Sequence, residues 1–538
     1  MNQGFYRDRA REAMGAFCRY MLAALKWTAA ACGLGGICGL LGAGFHEAID
    51  LATNFRMNHG FIIWFLPAAG LITLLLYQLC RVSFGAGTNL IIQSVTTNEH
   101  IPAFLAPLIV AGTLLSHLFG ASVGREGAAL QLGGSIGHNL AELLRFDEDD
   151  VRTVSMCGMA ACFSAMFGTP LTAAIFVLEV ITVGSLHYGA FLPCVLASYT
   201  AAAVSRALGI QPMSYALTGH PGHQPEMVGR VILLAALCAL VAILLCFTLH
   251  QASRLAEKLV KNAYLRIAAG GLAMAVLVSS LDLTDFAGAG GHMIQRAVDG
   301  TAEPWAFLVK LLLTALCVGS GFRGGEIVPT LFIGAAFGCS VGPLLGLDAS
   351  FAAAIGMVCV FCGVVNCPIA TVFLAVEMFS TVDIGLFAIA IAVAFVLSGY
   401  TGLYSSQVIL FSKVKRQARH PEKPQEKREP SLYKNIEKQT VLSLKDQVDY
   451  QPGQVVSKTL VQSEAMSMTL FSFDKGVEIS ACKADGEAMA TVLEGTGRFT
   501  VGGQVFLLGP GETLVMPKDI PHAVFGEERF KMQLVVSF

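Results

Sequence analysis

Gly124-Arg125-Glu126-Gly127-Ala128-Ala129-Leu130-Gln131-Leu132-Gly133-Gly134 is the stretch on which the reading turns. An arginine and a glutamate stand side by side at the head of a glycine-rich, otherwise apolar run. Ionisable residues at membrane depth are costly and usually line an ion or proton path. The run reads as a helix start, with Gly124 and Gly127 leaving the first backbone amides uncovered. Free amides at the positive end of a helix dipole make an anion site. Glu126 is then an anion placed at an anion site, filling it when charged and leaving it when protonated. Two solvated charges in a cytoplasmic turn would give the same letters, so the rest of the chain decides.

The surrounding chain has the composition of a polytopic membrane protein. Of its 538 residues, 54% are hydrophobic and only 14% charged, with a mean hydropathy of +0.63. Soluble domains are nearer about 25% charged. The net charge of −2 argues against a nucleic-acid partner. Cysteines such as Cys157, Cys162 and Cys317 sit singly in apolar segments, and Cys359 and Cys362 lack a second pair to complete a metal site. They read as small packing residues. Arg7, Arg9, Arg11 and Arg19 precede a long apolar segment with no small-residue cleavage site between, so no cleaved signal peptide is expected.

Residues 1–20 form a cytoplasmic segment, read over 5–20 as a basic amphipathic helix that places the N-terminus inside by its arginines. Apolar segments follow near 22–45, 60–80, 103–120, 128–143, 153–166, 168–183 and 189–208. Others lie near 228–250, 263–281, 305–320, 328–346, 351–363, 366–379 and 384–400. Several fall short of the ~20 residues needed to span a bilayer. Short segments interrupted by glycine or proline imply half-helices that meet inside the protein.

The sequence also repeats. Pro170-Leu171 leads to Phe176 and Glu179, and Pro368-Ile369 leads to Phe373 and Glu377, each glutamate nine places after its proline. Upstream, Leu130-Gln131-Leu132-Gly133 with Gly137 matches Leu331-Phe332-Ile333-Gly334 with Gly338. Two halves with the same punctuation predict an internal repeat with the site between them.

After residue 412 the composition changes. Residues 413–448, with Lys413, Lys415, Arg416, Arg419, Lys423, Lys427 and Arg428 among three prolines, read as a basic cytoplasmic linker, either touching anionic lipid or simply a solvated tether. From 449 to 538 short runs of alternating apolar residues between glycine-rich turns, from Val477 to Val535, predict a small soluble β-domain.

Here a family resemblance enters. G-R-E-G followed by Gln131 resembles the helix start of the CLC chloride channels and chloride/proton exchangers, and the resemblance covers roughly residues 25–412. Gly85-Ala86-Gly87-Thr88-Asn89 stands where the family has a G-S-G-I-P loop, and Gly325-Glu326-Ile327-Val328-Pro329 where it has a G-x-F-x-P helix start. Tyr404 sits where a tyrosine touches the central anion. The resemblance implies that Glu126 is the gate. It implies an anion path lined by Gly85, Ala86, Gly87, Gly124, Arg125, Gly127, Gly325, Glu326, Ile327 and Tyr404, and a homodimer with one path per subunit.

The departures are informative. Ala86 replaces the family's coordinating serine, and Ile327 its phenylalanine, with Glu326 before it. An acid there resembles the fluoride-exporting branch. The exchangers' inner proton-relay glutamate falls at Val180, while Glu179 matches a structural acid, so Glu179 is only a candidate for the proton path. Glu326 reads as a second pathway carboxylate, or as a helix-terminal acid satisfying amides.

The β-domain resembles a cupin. Gly511, Pro517 and His522 keep the spacing of its second motif, and Gly476 and Gly495 frame its first. The metal ligands are mostly replaced, by Cys482, Ala484 and Ala488, leaving His522 in a pocket with Cys482. One histidine rarely holds a metal, so neither a metal, a cofactor nor cupin catalysis is expected.

The expected fold is thus an all-α polytopic membrane protein with a CLC-type inverted repeat over 21–412, plus a C-terminal all-β cupin-like barrel. The expected function is halide transport, chloride or fluoride, as a proton-coupled antiport gated by Glu126. Its partners would be the halide, protons, membrane lipid, a second copy of the chain and a small ligand at the cupin. Both termini would be cytoplasmic and the chain multi-pass in the inner (plasma) membrane. The competing class is a membrane-tethered cupin sensor or enzyme with a vestigial transport core.

Overall fold

A computed structural model describes residues 3–538, apart from 86, 98, 220–221, 223, 381–382, 411–412, 414–434, 437–440, 464, 483–485 and 538; the side chains of 3–16, 18–20, 22–23 and 480–482 also lie outside the description. The chain divides into two compact units, Met1–Glu422 and Lys423–Phe538.

The first unit holds sixteen α-helices among its described residues. They begin with α1 (Gln3–Asn58), α2 (Leu66–Leu79), α3 (Thr88–Thr97) and α4 (Leu105–Leu118). Next come α5 (Glu126–Leu143), α6 (Glu148–Phe167), α7 (Pro170–Ile181) and α8 (Tyr188–Ala207). The second half runs α9 (Pro225–Leu259), α10 (Ala263–Ser280), α11 (Gly291–Val298) and α12 (Ala306–Ser320). It closes with α13 (Ile327–Val341), α14 (Ala349–Val365), α15 (Pro368–Phe379) and α16 (Ile384–Leu397). A two-residue parallel pair, β1 (Thr182–Val183) with β2 (Val408–Ile409), joins the end of α7 to the segment after α16.

Among the described residues, six helical stretches are long and apolar enough to cross a membrane, including Ala24–Asn58, Pro225–Leu259 and Ile327–Leu345. Others, such as Pro170–Ile181 and Pro368–Phe379, are apolar but too short, which is the half-helix pattern. The basic segment and first apolar segment are one uninterrupted helix, α1, running on to Asn58. No proline or cap interrupts residues 3–58, so the change of composition near residue 20 does not end the helix.

The repeat is visible in the packing. Gly133 and Gly137 of α5 lie against α6, where a Cβ on Gly133 would come to 2.0 Å from Gly158 O. Gly334 and Gly338 of α13 lie against α14 in the same way, with a Cβ on Gly334 reaching 2.4 Å from Gly356 O. Small residues allow this backbone approach, which supplies dispersion where lipid removes any hydrophobic drive between helices.

The two prolines and two acids of the repeat close on each other. Pro170 and Pro368 each open a helix, α7 and α15, with ring and fixed φ suited to the first turn. Glu179, near the end of α7, accepts N–H bonds from Ile369 (3.1 Å) and Ala370 (2.8 Å) at the start of α15. Glu377, near the end of α15, accepts from Leu171 (3.0 Å) and Thr172 (2.8 Å) at the start of α7. Each carboxylate satisfies amides that a helix start leaves without partners.

The second unit is a β-domain. Its strands are β3 (Val455–Gln462), β4 (Met466–Phe473), β5 (Glu478–Cys482), β6 (Glu487–Glu494) and β7 (Gly497–Val501). They continue with β8 (Gln504–Leu508), β9 (Thr513–Met516), β10 (His522–Gly526) and β11 (Phe530–Ser537). One sheet runs β3-β4-β11-β6-β9 and the other β5-β10-β7-β8, and their described pairings are all antiparallel. Phe473, Val492, Phe499, Phe530 and Met532 fill the core between them. Strands β3 and β4 precede the run of apolar residues from Val477 onward. The domain also begins before residue 449, since Ile436, Leu444 and Val448 pack on Leu460 and Leu470 and cover apolar surface. Where β4 ends, the Gly453 amide and the Arg529 guanidinium hold the Asp474 carboxyl below the usual carboxylate range.

Candidate functional site

Two helix starts meet through their backbones. Gly124, leading into α5, and Gly325, leading into α13, form an antiparallel bridge with N–H···O bonds of 2.6 Å in both directions. A Cβ on Gly325 would lie 2.4 Å from Gly127 N, so this approach requires glycine. The residues quoted from opposite halves of the sequence are therefore neighbours in space.

Glu126 is the first residue of α5 and is 1% exposed. Its Oε2 accepts the Arg125 backbone N–H at 3.0 Å, and its Oε1 lies 3.5 Å from Arg125 Nε. Arg125 in turn donates to Asp50 of α1 at 2.5 Å. The carboxylate thus sits on the amide end of its own helix, where the dipole favours negative charge.

Two cavities flank this meeting point. One, of about 180 Å³, is lined by Glu126, Arg125, Asp50, Arg56 and His117, with the loop at Ala287–Gly291. The other, of about 600 Å³, is lined by Glu326, Tyr404, Gly85, Gly87, Gln131 and Arg323. Among the described residues they share no lining residue. Glu126 opens on the first and Glu326 on the second, and the glycine bridge joins the segments that carry them.

Helix starts face both spaces. The first residues of α3 and the segment opening α13 line the larger cavity. The start of α5 and Val328 of α13 line the smaller. Their unpaired amides offer an anion ligands without a full opposing charge that would trap it. Glu326 precedes α13 and makes no side-chain bond to that helix's amides. The Tyr404 hydroxyl is buried and has no hydrogen-bond partner among the described residues. Gln131 donates to Thr88 Oγ1 at 2.9 Å, tying α5 to the start of α3.

The structure brings together Gly85, Gly87, Glu326 and Tyr404 at one cavity, and Gly124, Gly127 and Gly325 at the bridge beside Glu126. Ile327 is buried as the first residue of α13. Ala86 lies outside the described residues. Glu179 lines neither cavity; both of its oxygens are engaged by α15 amides.

Four charged residues were not singled out by the sequence. Asp50 fixes Arg125, as above. Arg56 donates to His117 O (3.0 Å) and Ala287 O (3.4 Å), and Lys310 to Phe286 O (3.1 Å) and Gly288 O (2.6 Å). The two cations therefore hold the 286–288 loop against the smaller cavity. Arg323 lies over the Tyr77 and Phe84 rings, with centroids at 4.6 and 4.1 Å, beside Glu326's cavity. Lys310, alone in the apolar run Phe307–Leu313, was the readable one, since a lone cation in such a segment signals a role.

In the β-domain His522 is 7% exposed and contacts Ile520 O through Nδ1 at 3.2 Å. It opens β10, where its register partner on β5 is Cys482. Ala488 is buried on β6, in the other sheet. Ala484 and the Cys482 side chain lie outside the described residues. A His522–Cys482 pair is two donors short of a closed zinc site. Elemental analysis of a purified 435–538 fragment is expected to find no stoichiometric zinc, iron or manganese. Near one metal per chain, lost on His522→Ala, would reverse that expectation.

The family model described as voltage gated chloride channel matches residues 69–399, and the cupin domain model matches residues 469–538. The chain is 37% identical over 395 residues to the chloride/fluoride channel protein of Pseudomonas syringae pv. tomato, covering 72% of this chain and 87% of that one. It is 26% identical over 377 residues to the H(+)/Cl(-) exchange transporter ClcA of Vibrio cholerae serotype O1, covering 64% and 80%. Among solved structures it is similar to a CLC-type fluoride/proton antiporter, with a TM-score of 0.70 and 31% identity over 72% of this chain and 98% of that one.

Proposed function

The chain belongs to the voltage gated chloride channel (CLC) family, and from that premise we propose that it exchanges a halide, fluoride in preference to chloride, for protons across a membrane. The observation that carries this reading is the buried Glu126 carboxylate at a helix start, lining the smaller cavity beside the glycine bridge while Glu326 lines the larger. Ionised, it occupies the place an anion would take; protonated, it leaves and carries a proton with it. Glu326 supports fluoride, because an acid on the larger cavity can accept a hydrogen bond from a protonated halide or hand over a proton. Identity supports it too, at 37% to the chloride/fluoride channel protein and 31% to the fluoride/proton antiporter, against 26% to the chloride exchanger.

In this reading the protein works as a homodimer in the plasma membrane, with both termini in the cytoplasm and lipid as solvent. It is a transporter and not an enzyme. Glu179 serves as a structural acid, and the proton passes by way of Glu126 and Glu326. The deciding measurement is flux from purified protein in liposomes, with chloride and fluoride tested separately and internal pH recorded. Fluoride-driven proton uptake supports the reading; no flux of either halide removes it.

The cupin is proposed to modulate transport and not to perform it. Two tethered copies per dimer are held at high local concentration, which favours their pairing. Deleting residues 430–538 is expected to leave halide flux within about twofold, the cavities lying wholly in the first unit, while changing its dependence on pH or ligand. Loss of flux from a deleted protein that still folds and dimerises would make the cupin part of the pathway.

A further inference from the structure

The far end of α5 from Glu126 carries a cluster that the transport reading does not use. His138 and Glu142 stand four apart near its C-terminus, and His100 meets them from the segment between α3 and α4. His100 Nδ1 lies 3.1 Å, and His138 Nε2 3.2 Å, from the same carboxylate oxygen, Glu142 Oε1. All three atoms fall within 4.8 Å of one another.

Hydrogen bonding alone leaves this arrangement unsatisfied. His138 is 3% exposed, and its Nε2 also lies 3.3 Å from the Ile101 N–H, which donates to it. A nitrogen that accepts from Ile101 turns a lone pair, not a proton, toward the carboxylate. A nitrogen that carries a proton for Glu142 loses Ile101. The buried Nδ1 has no partner among the described residues in either case. A cation between Nε2 and Oε1 turns the repulsive contact into ligation, replacing the long Ile101 bond.

The spacing suits a small tetrahedral ion. Ligands 2.0–2.1 Å from zinc stand about 3.3 Å apart, close to the 3.1 and 3.2 Å nitrogen–oxygen edges of this cluster. The imidazole–imidazole edge is the wide one, and the His100 side chain, 67% exposed, has room to close it. Two imidazoles and one carboxylate select borderline ions such as zinc over magnesium or calcium, which take oxygen ligands. The negative end of the helix dipole adds to the attraction.

We infer that His100, His138 and Glu142 form a binding site for a borderline divalent cation of the zinc class, with a fourth position open to water. Occupation would staple the end of α5, which begins at Glu126, to the segment that leads out of α3, whose start lines the larger cavity.

The test is titration calorimetry of zinc into tag-free full-length protein, with melting temperature as a second readout. Wild type is expected to bind one zinc per chain that millimolar magnesium does not displace, and to melt higher with zinc present. His100→Ala, at an exposed position, is expected to weaken binding about tenfold or more. His100→Ala with Glu142→Gln is expected to abolish it, with the zinc-free melting temperature unchanged as evidence of folding. A wild type that takes up no zinc at micromolar concentration would overturn the assignment. So would a double variant that binds as the wild type does, since the zinc would then sit on other histidines or cysteines.

Discussion

Glu126→Gln is expected to stop proton transport while leaving halide movement in place. Glutamine keeps the size of the side chain and its place at the start of α5, but an amide releases no proton at working pH. The Arg125 N–H bond at 3.0 Å can still be accepted by the amide oxygen, so the helix start should stay formed. Losing a positioned proton carrier typically costs about 10²-fold or more, and the fall in proton flux should be of that order. Halide flux would then run down its gradient without raising one of protons. The check is a liposome assay with simultaneous halide-electrode and internal-pH recordings. Uphill proton movement that persists in Glu126→Gln would remove the gate from this residue.

The second large effect belongs to Glu326. Its side chain lines the larger cavity and makes no bond to the amides of α13. Glu326→Gln should therefore change which halide passes, and how fast, with little loss of stability. Hydrogen bonds to charged groups contribute about 1.5–3 kcal/mol, so a shift of about tenfold or more in the fluoride-to-chloride flux ratio is expected. The melting temperature should stay near wild type, because no cap is lost. An unchanged ratio with a lowered melting temperature would describe a helix cap instead, a contribution of about 1 kcal/mol.

What the sequence revealed of this site was the part written in local chemistry. The glycines and acids at 124–127 and 325–326 are neighbours in the chain, and their types alone mark helix starts that accept an anion. The matched Pro–Glu spacing of α7 and α15 was readable as a repeat, because both copies repeat the same short-range need for a capped start. The fact that each acid serves the other helix was not, since it joins residues 206 apart. Asp50 and Arg56 were missed for a similar reason. They ride on a long helix whose composition changes along its length without ending it, and only tertiary packing carries them to Arg125 and His117. Strands β3 and β4 carry readable alternation, as in Met466–Phe473, but the sequence between them at 463–465 holds no glycine to mark their turn.

The exchange of acids between α7 and α15 bears on how the chain is made. When Pro170–Ile181 leaves the ribosome, the carboxylate that will satisfy its first amides does not yet exist. Glu377 follows 206 residues after Leu171, a delay of about 10–40 s at ordinary elongation rates. For that interval the first half enters the membrane with one helix start unfinished. Glu179 is meanwhile a buried acid with no amides to hold it. The bilayer tolerates such groups poorly, so water, lipid headgroups or the insertion machinery must shelter both until the second half arrives. Neither half reaches its final form first; a helix of the second half completes one of the first, and both wait on it while the β-domain is still to be made.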